Sequence, residues 1–314
     1  MKNQFSLATQ LAVALLFVSC HNSTVQQSIP EILGMQLIPA RPPAKTNDHA
    51  SNTSIASFFL DEKEVSNTDF KAFLDATGYL TTAEKDLDWE QIKGQFPPNT
   101  PRPPDSLLKA GALVFQPDLN TIDLQNELSW WHWERGANWK QPEGRNSTIE
   151  GLEEHPVVQI SHADARAYCQ WKGKRLPTEA EWEWAAQGGD SASTYPWGND
   201  DPNSAHDKAN FWQGPFPWEN QKLDGFASTS PVAHYPPNGY GLYDMAGNVW
   251  EWCIDPYQEG PEGPVIANHF VIRGGSFLCA ENYCSGYRTR NRLAADGQIG
   301  SNHTGCRCAM DIPD

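Results

Sequence analysis

The sequence predicts an α+β domain with low regular secondary structure and many turns, on three observations. Glycine and proline number 24 each in 314 residues, roughly 15% of the chain against a usual ~12%, and both interrupt regular structure. Three short stretches carry amphipathic helix patterns, two of them with capping residues. Between them lie strand-length apolar runs such as 157–160 (VVQI) and 271–276 (VIRGGS). Hydrophobic residues at 39% and charged residues at 20% mark a globular chain.

The elements follow in chain order. Lys2 precedes a mainly apolar stretch, residues 5–18, that ends in Ser19-Cys20. A spanning helix needs about 20 apolar residues, so this reads as an export signal over 1–19. A small residue before Cys resembles a bacterial lipobox, and Cys20 is the expected acylation site. Residues 20–54 are then the lipid anchor and a polar tether, and the globular domain runs over 55–314. Ser66 with Asp69 starts the first helix, Phe70, Phe73 and Leu74 share one face, and Gly78 ends it. Residues 94–106 hold five prolines and form a surface loop. A second helix covers 162–171, with Ala165, Tyr168 and Cys169 on one side. Thr178 and Glu181 make a capping box for the third, which buries Trp182 and Ala185 and stops at Gly188-Gly189.

Net charge is −16. A chain so acidic lacks the basic surface that neutralises phosphates, which argues against nucleic-acid binding. Thirteen tryptophans point to an aromatic-rich core or cleft, because Trp is costly to expose and its N–H needs a partner.

Cysteines stand at 20, 169, 253, 279, 284, 306 and 308. The odd total in an exported chain gives one a separate fate, and Cys20 takes it as the lipid site. Cys279 and Cys284 are five residues apart. In a strand their Cα atoms would stand about 16–17 Å apart on opposite faces, and in a helix about 140° apart. Their sulfurs meet only if residues 280–283 form a turn. Two converging thiols make either a local disulfide or a soft-metal site for Cu(I) or Zn(II), and spacing leaves both open.

Four segments resemble the signatures of the formylglycine-generating enzyme family. They are 173–189 (GKRLPTEAEWEWAAQGG), 195–199 (YPWGN), 238–252 (NGYGLYDMAGNVWEW) and 273–277 (RGGSF). The segment 276–284 (SFLCAENYC) resembles the active-site stretch of the true oxidases, with both thiols in place. Trp133, residues 136–139 (GANW) and 142–144 (PEG) fit the same group. The sequence departs from its relatives at Ala280, where many have His, and at His162, where Trp is common. Residues 35–40 match the family's first strand poorly.

The resemblance implies the compact, C-type-lectin-like fold of that family. It implies a copper-dependent oxidase that uses molecular oxygen to convert a cysteine in Cys-x-Pro-x-Arg segments of unfolded or nascent exported sulfatases to Cα-formylglycine. Cys279 and Cys284 would hold Cu(I) and the substrate cysteine would be a third thiolate. Ser276 and Trp250 would shape the oxygen pocket, with Tyr283 close by. Structural Ca²⁺ is implied at two sites, one of Asn210, Phe211, Asp224 and Phe226, the other of Asp244, Gly247, Val249 and Glu251. A disulfide between Cys169 and Cys308 is implied, and Cys253–Cys306 is the expected second bridge. The protein would face the periplasm as a cell-envelope lipoprotein, meeting the membrane through its N-terminal lipid. The alternative is a non-catalytic scaffold or binding lipoprotein of the same fold, of the gliding or secretion-machinery type.

Overall fold

The computed structural model describes residues 31–42, 54–95, 97–117, 123, 126, 129–260 and 262–313. Cys20 and the leader fall outside them. No helix among the described residues is long and apolar enough to cross a membrane.

Local chemistry sets the helices. Ser66 accepts the Asp69 N–H at 3.1 Å and opens α1, Asn67–Thr77. Gly78 closes it at φ +66°, donating its N–H to Leu74, a left-handed position that glycine takes without a Cβ clash. A short α2, Trp89–Ile92, follows. Ser161 and Asp164 form a capping box for α3, His162–Trp171. Thr178 and Glu181 do the same for α4, Glu179–Ala186.

Among the described residues, nine short strands make three sheets. β1 (Met35–Ile38), β2 (Phe58–Asp61) and β9 (Ala309–Asp311) form one, in that order. β3 (Gly111–Phe115) pairs with β4 (Trp131–Arg135) as an antiparallel ribbon. The third runs β7-β6-β5-β8, from Arg292–Asp296, Val265–Arg273, Trp250–Gln258 and Thr304–Gly305.

This last sheet organises the core, because alternate residues of a strand face opposite sides. Trp250 and Trp252 of β5 and Ile272 of β6 pack with Phe70, Phe73, Tyr168 and Cys169 of α1 and α3. Cys253 and Val271, one residue along, pack instead with Trp182 and Ala185 of α4 and with Ile38, Phe58 and Leu60 of β1 and β2.

Four expectations need correction. Residues 35–38 are not a lost strand within a tether: they pair with β2, so the folded body begins before residue 55. Residues 157–160 are buried but form no strand, since Val157 N–H bonds Val65 and Gln159 N–H bonds Ser301, with Gln159 at φ +60° between them. Over 271–276 the strand stops at Arg273, because Gly274 and Gly275 both take positive φ. Cys253 and Cys306 are free, buried thiols. Cys253 faces the α4 side of the sheet, while Cys306 packs with Trp252, Cys169 and Cys308 on the other. Cys308 is already bonded to Cys169, Cα atoms 5.6 Å apart.

Candidate functional site

The cysteine segment leaves β6 through Gly274 and Gly275 and folds into a tight turn. Cys279 N–H bonds Ser276 O at 2.9 Å, and the N–H groups of Tyr283 and Ser285 both reach Ala280 O at 3.1 Å. The turn brings Cys279 and Cys284 to a Cα separation of 5.3 Å with their sulfurs joined. Its floor is an aromatic cluster of Trp130, Trp212 and Phe216 with Phe277 and Leu278. Gly286 makes room for the turn, since a Cβ there would lie 2.5 Å from the Trp250 ring and 2.9 Å from Cys279 Sγ.

A cleft of about 550 Å³ opens at this turn, and Cys279, Cys284, Ser276, Trp250 and Tyr283 all line it. Cys279 and Trp250 are buried and Cys284 is half-buried, so Cys284 is the more accessible residue of the pair. Tyr283 stacks on Phe216 at 4.5 Å and meets Trp130 edge-on at 5.7 Å. That leaves its ring as a partly exposed apolar wall. His303 also lines the cleft and was missed in the sequence, where no motif marks it. Its Nδ1 lies 3.4 Å from Ser276 Oγ, its ring meets Trp131 at 4.6 Å, and burial pushes its pKa down to about 3.

A second cavity, about 610 Å³, lies on the other side of the cysteine turn, walled by Glu281, Asn282, Trp212 and Tyr287. It holds neither sulfur, so the chemistry belongs to the first.

The two expected calcium sets differ. In the first, Asp224 already accepts N–H groups from Phe211 and Phe226 at 3.1 and 3.0 Å and from the Gln213 side chain at 2.7 Å. Asn210 donates to Ser228 O and Asn248 Oδ1. Asp224 is thus engaged by amides and leaves no orphaned buried oxygen, so this set carries no unsatisfied acid that would mark a cation site. In the second, Glu251 is held by Arg307 and by the Trp182 N–H. Asp244, however, leaves Oδ1 buried without a partner, and so does Glu64 with Oε1. Burial first, then the Asp244 and Glu251 charges, pushes the Glu64 pKa well up. Burial also raises Asp244 to about 6. Glu64, Asp244 and Glu251 share one buried cation, Arg307, and a bound divalent cation would favour the charged forms that burial otherwise disfavours. Glu64 was missed in the sequence, although an acid wedged beside Val65 at the start of α1 was a visible oddity. Among the described residues no three His, Cys, Asp or Glu side chains converge as a cage, so backbone carbonyls would complete any such site.

Residues 31–312 match the sulfatase-modifying factor enzyme 1-like domain. The chain is 42% identical over 270 residues to the formylglycine-generating enzyme of Thermomonospora curvata, covering 82% of this chain and 83% of that protein. It is 38% identical over 267 residues to the inactive C-alpha-formylglycine-generating enzyme 2 of Bos taurus, covering 82% and 78%. PvdO from Pseudomonas aeruginosa shares the fold at TM-score 0.54 and 22% identity, over 88% of this chain and 94% of that one. Motifs, cleft and similarity agree, and the chain belongs to the formylglycine-generating enzyme family.

Proposed function

We propose that this protein is a copper-dependent oxidase that uses molecular oxygen to convert a cysteine of an exported sulfatase, within a Cys-x-Pro-x-Arg segment, to Cα-formylglycine. The observation that carries the reading is the convergence of both cleft cysteines with Ser276, Trp250 and Tyr283 in one aromatic cavity. A pair of thiolates is a donor set suited to Cu(I), and Cys279 and Cys284 would hold it. When bound, copper supplies the redox chemistry. The joined sulfurs are the oxidised form of the pair, and two electrons with two protons restore both thiols.

The chain's own residues supply position and shelter. Cys279 is fixed at the inner end by its N–H bond to Ser276 and its carbonyl bond to the Trp212 N–H. Cys284, half-buried, lies where an incoming polypeptide can reach it. Tyr283, Phe216 and Trp130 form an apolar wall that excludes water from the reacting sulfur. Ser276 places a hydroxyl in the same lining.

Three further parts belong to this proposal. Structural Ca²⁺ would be held by the second set, Asp244, Gly247, Val249 and Glu251, with Glu64 beside it, a reading supported by the unpartnered buried oxygens of Asp244 and Glu64. The N-terminal segment directs export, and Cys20 carries the lipid that holds the protein at the membrane, facing the periplasm. Unfolded or nascent sulfatases are its substrates. The rival is a non-catalytic scaffold, favoured by the joined Cys279–Cys284 sulfurs and by likeness to a relative named inactive. The deciding experiment is aldehyde formation on a Cys-x-Pro-x-Arg peptide, using pre-reduced, copper-loaded protein in air. Aldehyde supports the oxidase; no product under those conditions leaves the scaffold.

A further inference from the structure

We propose that His303 is a positioning residue for Ser276: its Nδ1 accepts a hydrogen bond from the Ser276 hydroxyl and thereby fixes which face of that hydroxyl the cleft sees. The inference rests on the oxidase reading for its catalytic consequence and on geometry for the contact itself.

Ser276 is wholly buried. Its hydroxyl has one proton to donate and two lone pairs. The Leu278 N–H takes one lone pair at 3.2 Å. A buried hydroxyl proton without an acceptor is costly, and His303 Nδ1 stands 3.4 Å from the oxygen. Donation from Ser276 to His303 satisfies that proton. One lone pair then remains on Ser276 Oγ, within the cleft lining shared with Cys279.

The imidazole suits the role. Desolvation keeps it neutral at ordinary pH, so one nitrogen is bare and one is protonated. Accepting at Nδ1 places the ring proton on Nε2. Trp131 against the ring and the bond from Trp250 N–H to His303 O at 2.9 Å hold the residue in place. The second bond ties it to the backbone of another cleft residue. Ser276 thus stands in the cleft lining as an oriented acceptor, instead of a freely rotating donor.

Two measurements test this. In ¹⁵N-histidine-labelled full-length protein, the His303 signal is assigned by its loss in His303→Asn. Nitrogen shifts should show Nδ1 bare and Nε2 protonated, with Nδ1 altered in Ser276→Ala. A protonated Nδ1 overturns the proposal. For turnover of the Cys-x-Pro-x-Arg peptide, His303→Leu should lose roughly ten- to hundredfold in kcat, the usual cost of removing a residue that orients a site. KM and Cu(I) affinity should be little changed. His303→Asn, which keeps an acceptor and a donor, should recover most of kcat. His303→Leu added to Ser276→Ala should cost little more, because the two act as one unit. Wild-type kcat in His303→Leu, or independent losses in the double variant, overturns it. Circular dichroism on each variant separates misfolding from loss of position. If the wild type turns over no peptide, the oxidase reading fails, while the nitrogen shifts still decide the Ser276–His303 contact.

Discussion

Arg307 grips Glu251 through two nitrogens at 2.7 Å, with both side chains wholly excluded from solvent. The same guanidinium also donates to the backbone carbonyl of Tyr243 at 2.9 Å. It therefore ties β5 to the loop before it and is the cation nearest a group of buried acids. Removing one partner of a buried pair leaves the other uncompensated. Arg307→Met should cost roughly 3–5 kcal/mol in urea denaturation. Adding Glu251→Gln should restore part of that loss, which a double-mutant cycle reads directly.

Cys169–Cys308 closes a loop spanning 139 positions. Loop-closure entropy for a loop this long predicts a cost of up to about 5 kcal/mol for Cys169→Ala. Non-reducing peptide mapping should show this bridge, with Cys253 and Cys306 alkylated only after unfolding. A 253–306 cross-link in that map would contradict the fold.

Each of Cys279→Ser and Cys284→Ser should abolish aldehyde formation while the far-ultraviolet spectrum is unchanged, since a hydroxyl is a poor ligand for Cu(I). A purely structural disulfide predicts the reverse: lost stability and no dependence on copper.

A calcium chelator should lower the melting temperature, and Glu64→Gln with Asp244→Asn should remove that sensitivity. Asp224→Asn should leave calcium stoichiometry as it is, because the Asp224 oxygens are already engaged by amides. An unchanged melting curve under chelation would dispose of the site.

His162 stacks on Phe270 at 3.6 Å and its Nε2 faces the Cys253 carbonyl at 3.1 Å. Burial lowers its pKa to about 4, below the ~6.5 of an exposed imidazole. Between these values the unfolded chain binds a proton that the folded one does not. Stability is then present above about pH 6.5 and lost as pH falls toward 4, by up to about 1.4 kcal/mol per pH unit. Replacing His162 by Trp should flatten that slope, measured by urea melts at pH 7 and pH 5.

What the sequence disclosed and what it hid follow from the range of the interactions. Ser66, Gly78, Thr178 and Glu181 act within four residues of their partners, so α1 and α4 were legible from residue types alone. The Cys279–Cys284 turn was legible because two sulfurs five apart have few ways to meet. Residues 157–160 look like a strand but bond to two distant segments, and one residue's positive φ is invisible in composition. Glu64 and His303 gain their meaning from neighbours 180 and 27 positions away, Asp244 and Ser276. The 253–306 pairing failed because the two thiols lie on opposite sides of the β5–β6 sheet, a relation that cysteine spacing does not carry.

The separation of Cys253 from Cys306 by the sheet has a chemical consequence. The two thiols lie on opposite sides of the sheet, Cys306 beside the Cys169–Cys308 bridge, and burial pushes both well above their ordinary range. Neither is present as a thiolate at neutral pH, and neither can be attacked by the other. As un-ionised, buried thiols both are poor nucleophiles, so reagents that oxidise or reduce this molecule while it stays folded meet the cleft pair first. A reductant gentle enough to spare Cys169–Cys308 can therefore reset the cleft without disturbing the scaffold that surrounds it.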